Sequence, residues 1–290
     1  MPKLAGYWLF FMLWLPLGAW ADASVWRLAD TDIYLAGSIH VLRSSDYPLP
    51  IEYDIAYQNA DRLVLETDLA AADDLRNQAL VAARGIYTDG RTLSRELSDP
   101  VYARLSEYLR AKGLPPEQFE LYRPWLVMLT LTMIELQANG ITAQHGVDRH
   151  FYQRARRDGK PISGLEGIEV QIEALASLGG EFSDELIESQ LSDMEQLPEM
   201  IDELIASWRV GDETLLNDLL MGDLRNQYPR VYDTVFRQRN RNWLEKLDGL
   251  IRSGDRVMVI VGSGHLIGED GLIALLAERG HRFDKLDAEG

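Results

Sequence analysis

The stretch VMVIVGSGH at residues 257–265 decides the fold, and it has a counterpart in IYLAGSIH at residues 33–40. Each stretch is an apolar run followed by Gly-x-x-His, which predicts a buried strand that ends in a sharp turn and a histidine. Because α/β proteins bind ligands at the carboxyl ends of parallel strands, both turns are expected to expose their histidines at one sheet edge. The chain has five histidines, so two in matching settings, His40 and His265, predict a shared functional site.

Short apolar runs bounded by Gly, Asp or Pro predict six strands, with long helical patterns between them. The predicted strands are residues 25–27, 33–36, 62–66, 161–165, 256–261 and 282–286. The segment 183–253 is almost entirely helical in pattern. We therefore expect an α/β fold with a mixed β-sheet core, an active site at the strand ends, flanking helices and a large helical insertion. The two Gly-x-x-His units could also mark halves related by pseudo-symmetry.

The N-terminus has the pattern of a secretory signal peptide. Lys3 supplies a positive charge, residues 6–17 are apolar and aromatic, and Ala19-Trp20-Ala21 fits the small-x-small rule for cleavage. The apolar stretch is shorter than the ~20 residues that span a bilayer, which disfavours the alternative of an uncleaved anchor. We predict a signal peptide at residues 1–21 and a single α/β domain at 22–290. The expected location is the periplasm or the cell exterior, without a stable membrane anchor.

Composition excludes several classes of chemistry. The chain has no cysteine, so it has no disulfides, no cysteine nucleophile and no lipid attachment through a cysteine after the signal. Any metal site must therefore use His, Asp or Glu side chains. The formal net charge of −17 argues against nucleic acid as a partner, because such binding depends on cationic side chains at phosphates.

Four predicted strands end in a residue that can bind a metal or move protons: His40, Glu66, Glu166 and His265. Imidazole and carboxylate ligands suit a divalent ion such as Mn, Co or Zn. An ion held by two His and one or two Glu, with one position open, would activate water. The alternative for each histidine alone is a hydrogen-bonded turn residue, and for Glu166 it is one carboxylate among several in an acidic helix.

A second group of candidate residues lies near position 240. As a helix, this segment puts Arg237 and Arg241 on one face and Arg239 on the other. One interpretation is a solvated charged face. The alternative is that Arg239 or Asn240 points inward and holds a substrate carbonyl or a metal-bound carboxylate. The remaining histidines lack metal-ligand spacing and are expected at the surface or in turns: His145, His150 and His281.

The order and spacing of these motifs resemble the bacterial TraB/GumN family, whose animal relatives are the Tiki proteins. The resemblance runs from about residue 26 to residue 286. The matching blocks are residues 34–41, 47–50, 63–66, 123–125, 146–148, 159–161, 164–166 with Gln171, 239–240 with Trp243, and 261–266 with Gly268 and Gly271.

The resemblance implies a fold shared with erythromycin esterase-like and haem-binding ChaN-like proteins. From Tiki it also implies a divalent-metal-dependent protease, in which the two Gly-x-x-His motifs and a glutamate carry over to His40, His265 and Glu66. Glu166 and Arg239 match further family positions.

The resulting hypothesis is a metal-dependent hydrolase acting on a peptide or protein substrate. His40, Glu66 and His265 would hold Mn, Co or Zn, Glu166 would act as general base, and Arg239 or Asn240 would stabilise the oxyanion. The competing hypothesis is a non-catalytic periplasmic haem- or metal-binding protein.

Overall fold

The computed structural model describes residues 23–70, 74–177, 183–194 and 196–288. Within these ranges, six strands form one sheet in the order β4-β3-β5-β2-β1-β6. The strands are β1 Val25–Leu28, β2 Ile33–Ser38, β3 Arg62–Leu65, β4 Ile162–Gly164, β5 Val257–Gly262 and β6 Phe283–Lys285. All six strands expected from the sequence are present, and none of their ends differs from the predicted one by more than two residues. The α/β class and the mixed sheet are confirmed.

The topology brings three strand ends together. Strand β5 is the centre of the parallel part, with β3 on one side and β2 on the other. Strand β1 pairs antiparallel with β2, and β6 pairs antiparallel with β1, which makes the sheet mixed. Every residue of β2 and β5 is buried, as expected for parallel strands covered on both faces. The carboxyl ends of β2, β3 and β5 therefore lie side by side.

Helices occupy most of the segments between the strands, and the described residues of 183–253 are almost entirely helical, as predicted. Before β4 they are α1 Ile51–Asn59, α2 Leu75–Gly85, α3 Leu93–Glu96, α4 Asp99–Ala111, α5 Pro124–Ala138 and α6 Val147–Asp158. After β4 they are α7 Ile168–Ala176, α8 Ser183–Asp193, α9 Leu197–Arg209, α10 Glu213–Asn217, α11 Asp223–Gln227, α12 Pro229–Tyr232, α13 Gln238–Ser253 and α14 Leu272–Glu278. Two π-helical turns, Asp218–Gly222 and Asp233–Arg237, adjoin α10 and α13.

The helical pattern at residues 115–139 predicts one long helix, and the structure divides it. A 3₁₀ turn spans Pro116–Phe119, and α5 begins at Pro124. A proline restricts the residue before it to an extended backbone and suits the first helical turn, which accounts for a break at Arg123 and a new start at Pro124.

Buried side chains form two hydrophobic clusters. The larger one joins the sheet to α1, α6, α9, α13 and α14. The smaller one joins α3, α4, α5 and α8. Since α9 and α13 belong to the larger cluster, the helical insertion packs directly against the sheet that carries the candidate residues.

A buried hydrogen-bond group ties the insertion to the end of β2. Trp208 of α9 is fully buried, and its Nε1 atom lies 2.8 Å from the Gly37 carbonyl oxygen and 2.7 Å from the Tyr53 hydroxyl. The Tyr53 hydroxyl also donates to the Gly37 carbonyl. Because Gly37 is three residues before His40, these bonds help to fix where the turn after β2 begins.

The start of α6 is in contact with the turn that carries His40. The Val147 N–H donates to the Ile39 carbonyl at 3.1 Å. A Cβ atom at Gly146 would collide with the carbonyl group of His40, so only glycine permits this close approach. The first turn of α6 is thereby held against the His40 turn.

Among the described residues, no helix has the length and apolar character needed to cross a membrane. The predicted signal peptide, residues 1–21, lies outside the described ranges.

Replacing Gly146 by alanine is expected to lower the free energy of unfolding by about 1–3 kcal/mol, the usual effect of forcing an extra methyl group into a packed site. The matched control is Gly249→Ala, in the exposed interior of α13, where an added Cβ meets open space. The free energy of unfolding of that control is expected to rise by about 0.5–1 kcal/mol. Urea unfolding of both variants measures the difference, and equal stability of the two would contradict the packing described for Gly146.

Candidate functional site

Three candidate side chains meet at the carboxyl edge of the sheet. Glu66 directly follows β3, while His40 and His265 lie in the turns after β2 and β5. Glu66 and His265 are buried, whereas 59% of the His40 side chain is exposed. The two histidines therefore differ in access to solvent, although their motifs are alike.

The Glu66 carboxylate is the centre of the group. Its Oε1 atom lies 3.9 Å from the Nε2 atom of His40 and 3.9 Å from the Nε2 atom of His265. The Gly262 N–H donates to the same oxygen at 2.6 Å. The Oε2 atom accepts from Arg239 at 2.6 Å and from Gln171 at 2.9 Å. Both oxygens of this buried carboxylate therefore have donors, as a buried charge requires.

The His265 ring is held in one tautomer by Asn240. The Asn240 amide nitrogen lies near two backbone carbonyls, those of His265 at 3.2 Å and Asp270 at 2.7 Å. Its Oδ1 atom therefore faces His265 Nδ1, at 2.6 Å, as an acceptor. The Nδ1 atom carries the proton, and the Nε2 atom is left as an acceptor.

His40 has a similar partner on its Nδ1 atom. The Asp148 Oδ1 atom, from the first turn of α6, lies 3.2 Å away. An ionised carboxylate can only accept a hydrogen bond, so Nδ1 of His40 is the donor. Both rings thus direct Nε2 towards Glu66.

Arg239 joins the helical insertion to this edge. Its Nη2 atom lies 2.6 Å from Glu66 Oε2 and 2.6 Å from Glu166 Oε1, and its Nη1 atom lies 3.1 Å from His265 Nε2. The guanidinium also lies 4.9 Å from the ring centre of Trp243, and the Trp243 indole donates to Glu166 Oε2 at 2.9 Å. One buried cation therefore balances two buried carboxylates.

These surroundings separate the acid–base properties of the three central groups. Burial alone would raise the pKa of Glu66, but His265, His40, Arg239 and the Gly262 N–H outweigh it and lower that pKa to about 2. Burial lowers the pKa of His265 to about 3, only partly opposed by Glu66. Partial desolvation also disfavours charge on His40, although more than half of its side chain is exposed, but Asp148 and Glu66 outweigh it and raise the pKa of His40 to about 9. At neutral pH Glu66 is ionised, His265 is neutral and His40 is protonated.

The structure brings five of the six sequence-predicted residues into one connected group. The sixth, Asn240, lies behind the His265 ring. His40, Glu66, His265, Arg239 and Glu166 are linked by the contacts above. Asn240 is 1% exposed and holds His265 from the side away from Glu66. Arg239 points inward, which agrees with the second of the two interpretations given for its helix. Both oxygens of Glu166 are occupied by Arg239 and Trp243.

Reasoning from residue types missed two members of the group, Asp148 and Gln171. Neither lies near a Gly-x-x-His motif, and each reaches the site from a helix that follows a different strand or turn. The only signal for them was the family resemblance, whose blocks include both positions.

A cavity of about 440 Å³ opens beside these residues. His40, Glu66, Arg239 and His265 line one part of it. A smaller cavity of about 160 Å³ is lined by the other side of His40 and Glu66, together with Asp148 and Gln171. The central group is thus reachable from outside through space that can hold a ligand.

The donor atoms suit a divalent metal. Two imidazole Nε2 atoms and one carboxylate oxygen face a shared space, and each Nδ1 is held by an oxygen acceptor, as in most metal-binding histidines. Gly262 keeps this space open, because a Cβ there would lie 3.2 Å from both Glu66 Oε1 and His40 Nε2. The 3.9 Å separations from Oε1 to each Nε2 are within the span of two metal–ligand bonds of about 2.1 Å.

Arg239 and the proton on His40 are the obstacles to a metal in this arrangement. Within the described ranges, no group of three or more His, Asp or Glu side chains is disposed to hold a metal ion as it stands. The Nη1 atom of Arg239 donates to His265 Nε2, so the lone pair that a metal would need is in use. Metal binding has to break that hydrogen bond and release the proton from His40 Nε2. The bonds from Arg239 to Glu166 can remain.

Arg239→Ala is expected to lower the free energy of unfolding by about 3–5 kcal/mol, because it leaves Glu66 and Glu166 buried without their cation. The matched control is Arg241→Ala on the exposed face of the same helix, which is expected to change stability by less than about 0.5 kcal/mol. Thermal and urea unfolding compare the two. Similar small effects of both substitutions would show that Arg239 is not the counter-ion of this pair.

Asp148→Asn is expected to lower the pKa of His40 from about 9 towards its ordinary value, because it removes the carboxylate that stabilises the imidazolium. NMR titration of the His40 ring in chelator-treated protein measures the change, with Asp284→Asn in β6 as an exposed control. A raised folded-state pKa stabilises the fold below about pH 6.5, and this stabilisation is lost as the pH rises through 9. Asp148→Asn should therefore destabilise the protein more at pH 6 than at pH 10, and an unchanged His40 titration would contradict the assigned pair.

Comparison with known proteins agrees with the motifs and their placement. The sequence pattern of the TraB/PrgY/gumN family matches residues 24–285. The chain is 26% identical over 258 residues to the Uncharacterized protein YbaP of Escherichia coli (strain K12), which is 89% of this chain and 92% of that protein. It is 28% identical over 244 residues to the protein of the same name from Shigella flexneri, with coverage of 84% and 87%. No solved structure gives a significant match. The resemblance inferred from the motifs is confirmed: the chain belongs to the TraB/PrgY/gumN family.

Proposed function

We propose that this protein is a divalent-metal-dependent hydrolase that cleaves peptide bonds at the group formed by His40, Glu66, His265 and Arg239. One observation carries the proposal. Two imidazoles, each with Nδ1 held by an oxygen acceptor, direct Nε2 at the same carboxylate oxygen on the wall of an open cavity. Such an arrangement serves catalysis better than stability, because burying Glu66 and Arg239 carries a desolvation penalty.

The metal would be held by His40 Nε2, His265 Nε2 and Glu66 Oε1, and Mn, Co and Zn are the candidate ions. When bound, it would supply a polarised water and positive charge next to the substrate carbonyl. Asp148 and Asn240 accept hydrogen bonds from the Nδ1 atoms of His40 and His265, which orients the two rings and makes each Nε2 a stronger metal ligand.

We assign to Arg239 the role of stabilising the negative charge that develops on the substrate carbonyl oxygen. It lines the cavity and is held in place by Glu166 and Trp243. Once Nη1 leaves His265, it is the cationic N–H group beside the cavity that can approach a carbonyl oxygen. In this proposal Glu166 positions Arg239 and does not take up a proton, since both of its oxygens are engaged. Asn240 likewise acts through His265 and not on the substrate.

The predicted leader at residues 1–21 would direct the protein to the periplasm or the cell exterior, where peptides and proteins are available as substrates. This location is part of the proposal and can be tested by fractionation of cells that express the full chain.

The test combines metal content with hydrolysis. Protein purified without chelator is analysed for bound metals and assayed on a fluorogenic peptide mixture with Mn, Co or Zn added. His40→Ala and His265→Ala are expected to lose metal and to lower hydrolysis by at least about a hundredfold, while circular dichroism and thermal melting show an intact fold. The control is His281→Ala, a histidine that pairs with Asp248 away from the cavity.

Two results would contradict the proposal. The first is a folded His40→Ala or His265→Ala variant that hydrolyses peptides as the wild type does. The second is red, haem-loaded protein without hydrolysis under any metal condition, which would favour the non-catalytic carrier instead.

A further inference from the structure

The cavity of about 440 Å³ has two chemically different parts. One end carries the ionised and imidazole groups of the candidate site. The rest of the wall is apolar and contains Val41, Leu175, Leu204, Leu220, Val235 and Phe236. Its volume is in the range of about 300–1,000 Å³ that is usual for pockets that enclose small organic ligands.

Apart from Val41, which follows His40, the named residues of the apolar wall come from elements outside the Gly-x-x-His motifs. Leu175 belongs to α7 and Leu204 to α9, while Leu220 and Phe236 belong to the two π-helical turns. Such turns are uncommon and are frequent at functional sites. The helical insertion therefore builds most of this wall, while the sheet supplies the polar end.

Gly264 lets the insertion close on the strand end. A Cβ atom there would collide with the Met221 side chain and lie 3.0 Å from Phe236 Cε1. The second Gly-x-x-His motif thus has a glycine between its serine and its histidine that admits apolar side chains directly above the turn. This contact brings the apolar wall to within one residue of His265.

The exposure of the wall indicates that it accepts a ligand. Leu175, Leu204, Leu220 and Val235 are neither fully buried nor fully exposed. Apolar surface left in contact with water is unfavourable by roughly 25 cal/mol per Å², and an apolar group that fills the cavity would recover this free energy. A charged group would have to be desolvated against the same wall without a partner there. The wall thus favours a neutral, apolar occupant.

We propose that this cavity is the specificity subsite of the enzyme, and that it takes a large uncharged apolar side chain, of leucine, methionine or phenylalanine size, from the substrate. The assignment rests on the proposed function, because the scissile bond must lie at the polar end where His40, Glu66, His265 and Arg239 meet. The peptide group faces that end while the side chain fills the apolar part.

Binding can be measured without turnover. The neutral dye N-phenyl-1-naphthylamine, which fluoresces in apolar surroundings, is titrated into chelator-treated wild-type protein and then displaced with short blocked peptides. Ac-Ala-Leu-Ala-NH₂ is expected to displace it at concentrations at least about tenfold lower than Ac-Ala-Asn-Ala-NH₂, which is similar in size but polar. Equal displacement by the two peptides would overturn the assignment. Stronger displacement by decanamide than by the leucine peptide would also overturn it, since the occupant would then be an acyl chain.

A matched pair of variants locates the effect. Leu204→Gln places an amide in the cavity wall and is expected to weaken dye binding by about tenfold. Leu129→Gln makes the same change on the exposed side of α5 and should leave binding unaltered. If both variants bind the dye as the wild type does, the cavity is not the binding site.

Hydrolysis of the same peptides separates this inference from the proposed function. Selective binding without any hydrolysis would leave the subsite in place and remove the catalytic proposal. Hydrolysis that is equal for the leucine and asparagine peptides would leave the catalytic proposal in place and remove the subsite. Preference for the leucine peptide in wild type, lost in Leu204→Gln, is the expected result.

Discussion

The buried ion pair between Glu66 and Arg239 is the interaction on which the site depends. Glu66 follows a central strand, and Arg239 comes from the helical insertion 173 residues later in the chain. Neither charge is tolerable alone in a buried setting, so the sheet edge and the insertion must dock for either to be stable. The same guanidinium also contacts Glu166 and His265. One side chain therefore couples the docking of the insertion to the arrangement of the whole group.

The two Gly-x-x-His motifs have the same sequence pattern and end in different environments. His265 follows the central strand β5 and is covered by the insertion, with Phe236 and Trp243 packed around its ring. His40 follows β2, next to the antiparallel edge, and faces solvent beside Asp148. Burial favours a neutral ring in the first case, and a neighbouring carboxylate favours a charged ring in the second. One motif thus supplies a fixed neutral imidazole, and the other supplies an accessible one.

Much of the fold could be predicted because its signals are local. Strands β2 and β5 are continuous apolar runs that end in glycine turns, and buried parallel strands require that pattern. The break in the helical pattern at Pro124 was missed, because periodicity outweighed the restriction that a proline imposes on the residue before it. In the site, Glu66 and the two histidines could be predicted from their strand-end positions. Asp148 could not be derived from its own surroundings in the chain, since its role arises from the close approach of Gly146 to His40.

The sequence by itself determined which segments are strands and, apart from the break at Pro124, which are helices. It also determined which histidines follow buried strands and that any metal ligands must be nitrogen or oxygen atoms, because these follow from residue type and short-range spacing. Only the tertiary structure decided that β5 lies between β2 and β3, which brings His40, Glu66 and His265 to one edge. It also decided that the group next to these three residues is the Arg239 guanidinium and that Glu166, expected as a general base, is engaged by Arg239 and Trp243. It decided as well that the adjoining cavity is largely apolar. The pairing of β5 with β2 and β3 and the contact of Arg239 with Glu66 join residues more than 150 positions apart. Such contacts arise only from the assembly of the sheet and the packing of the insertion on it.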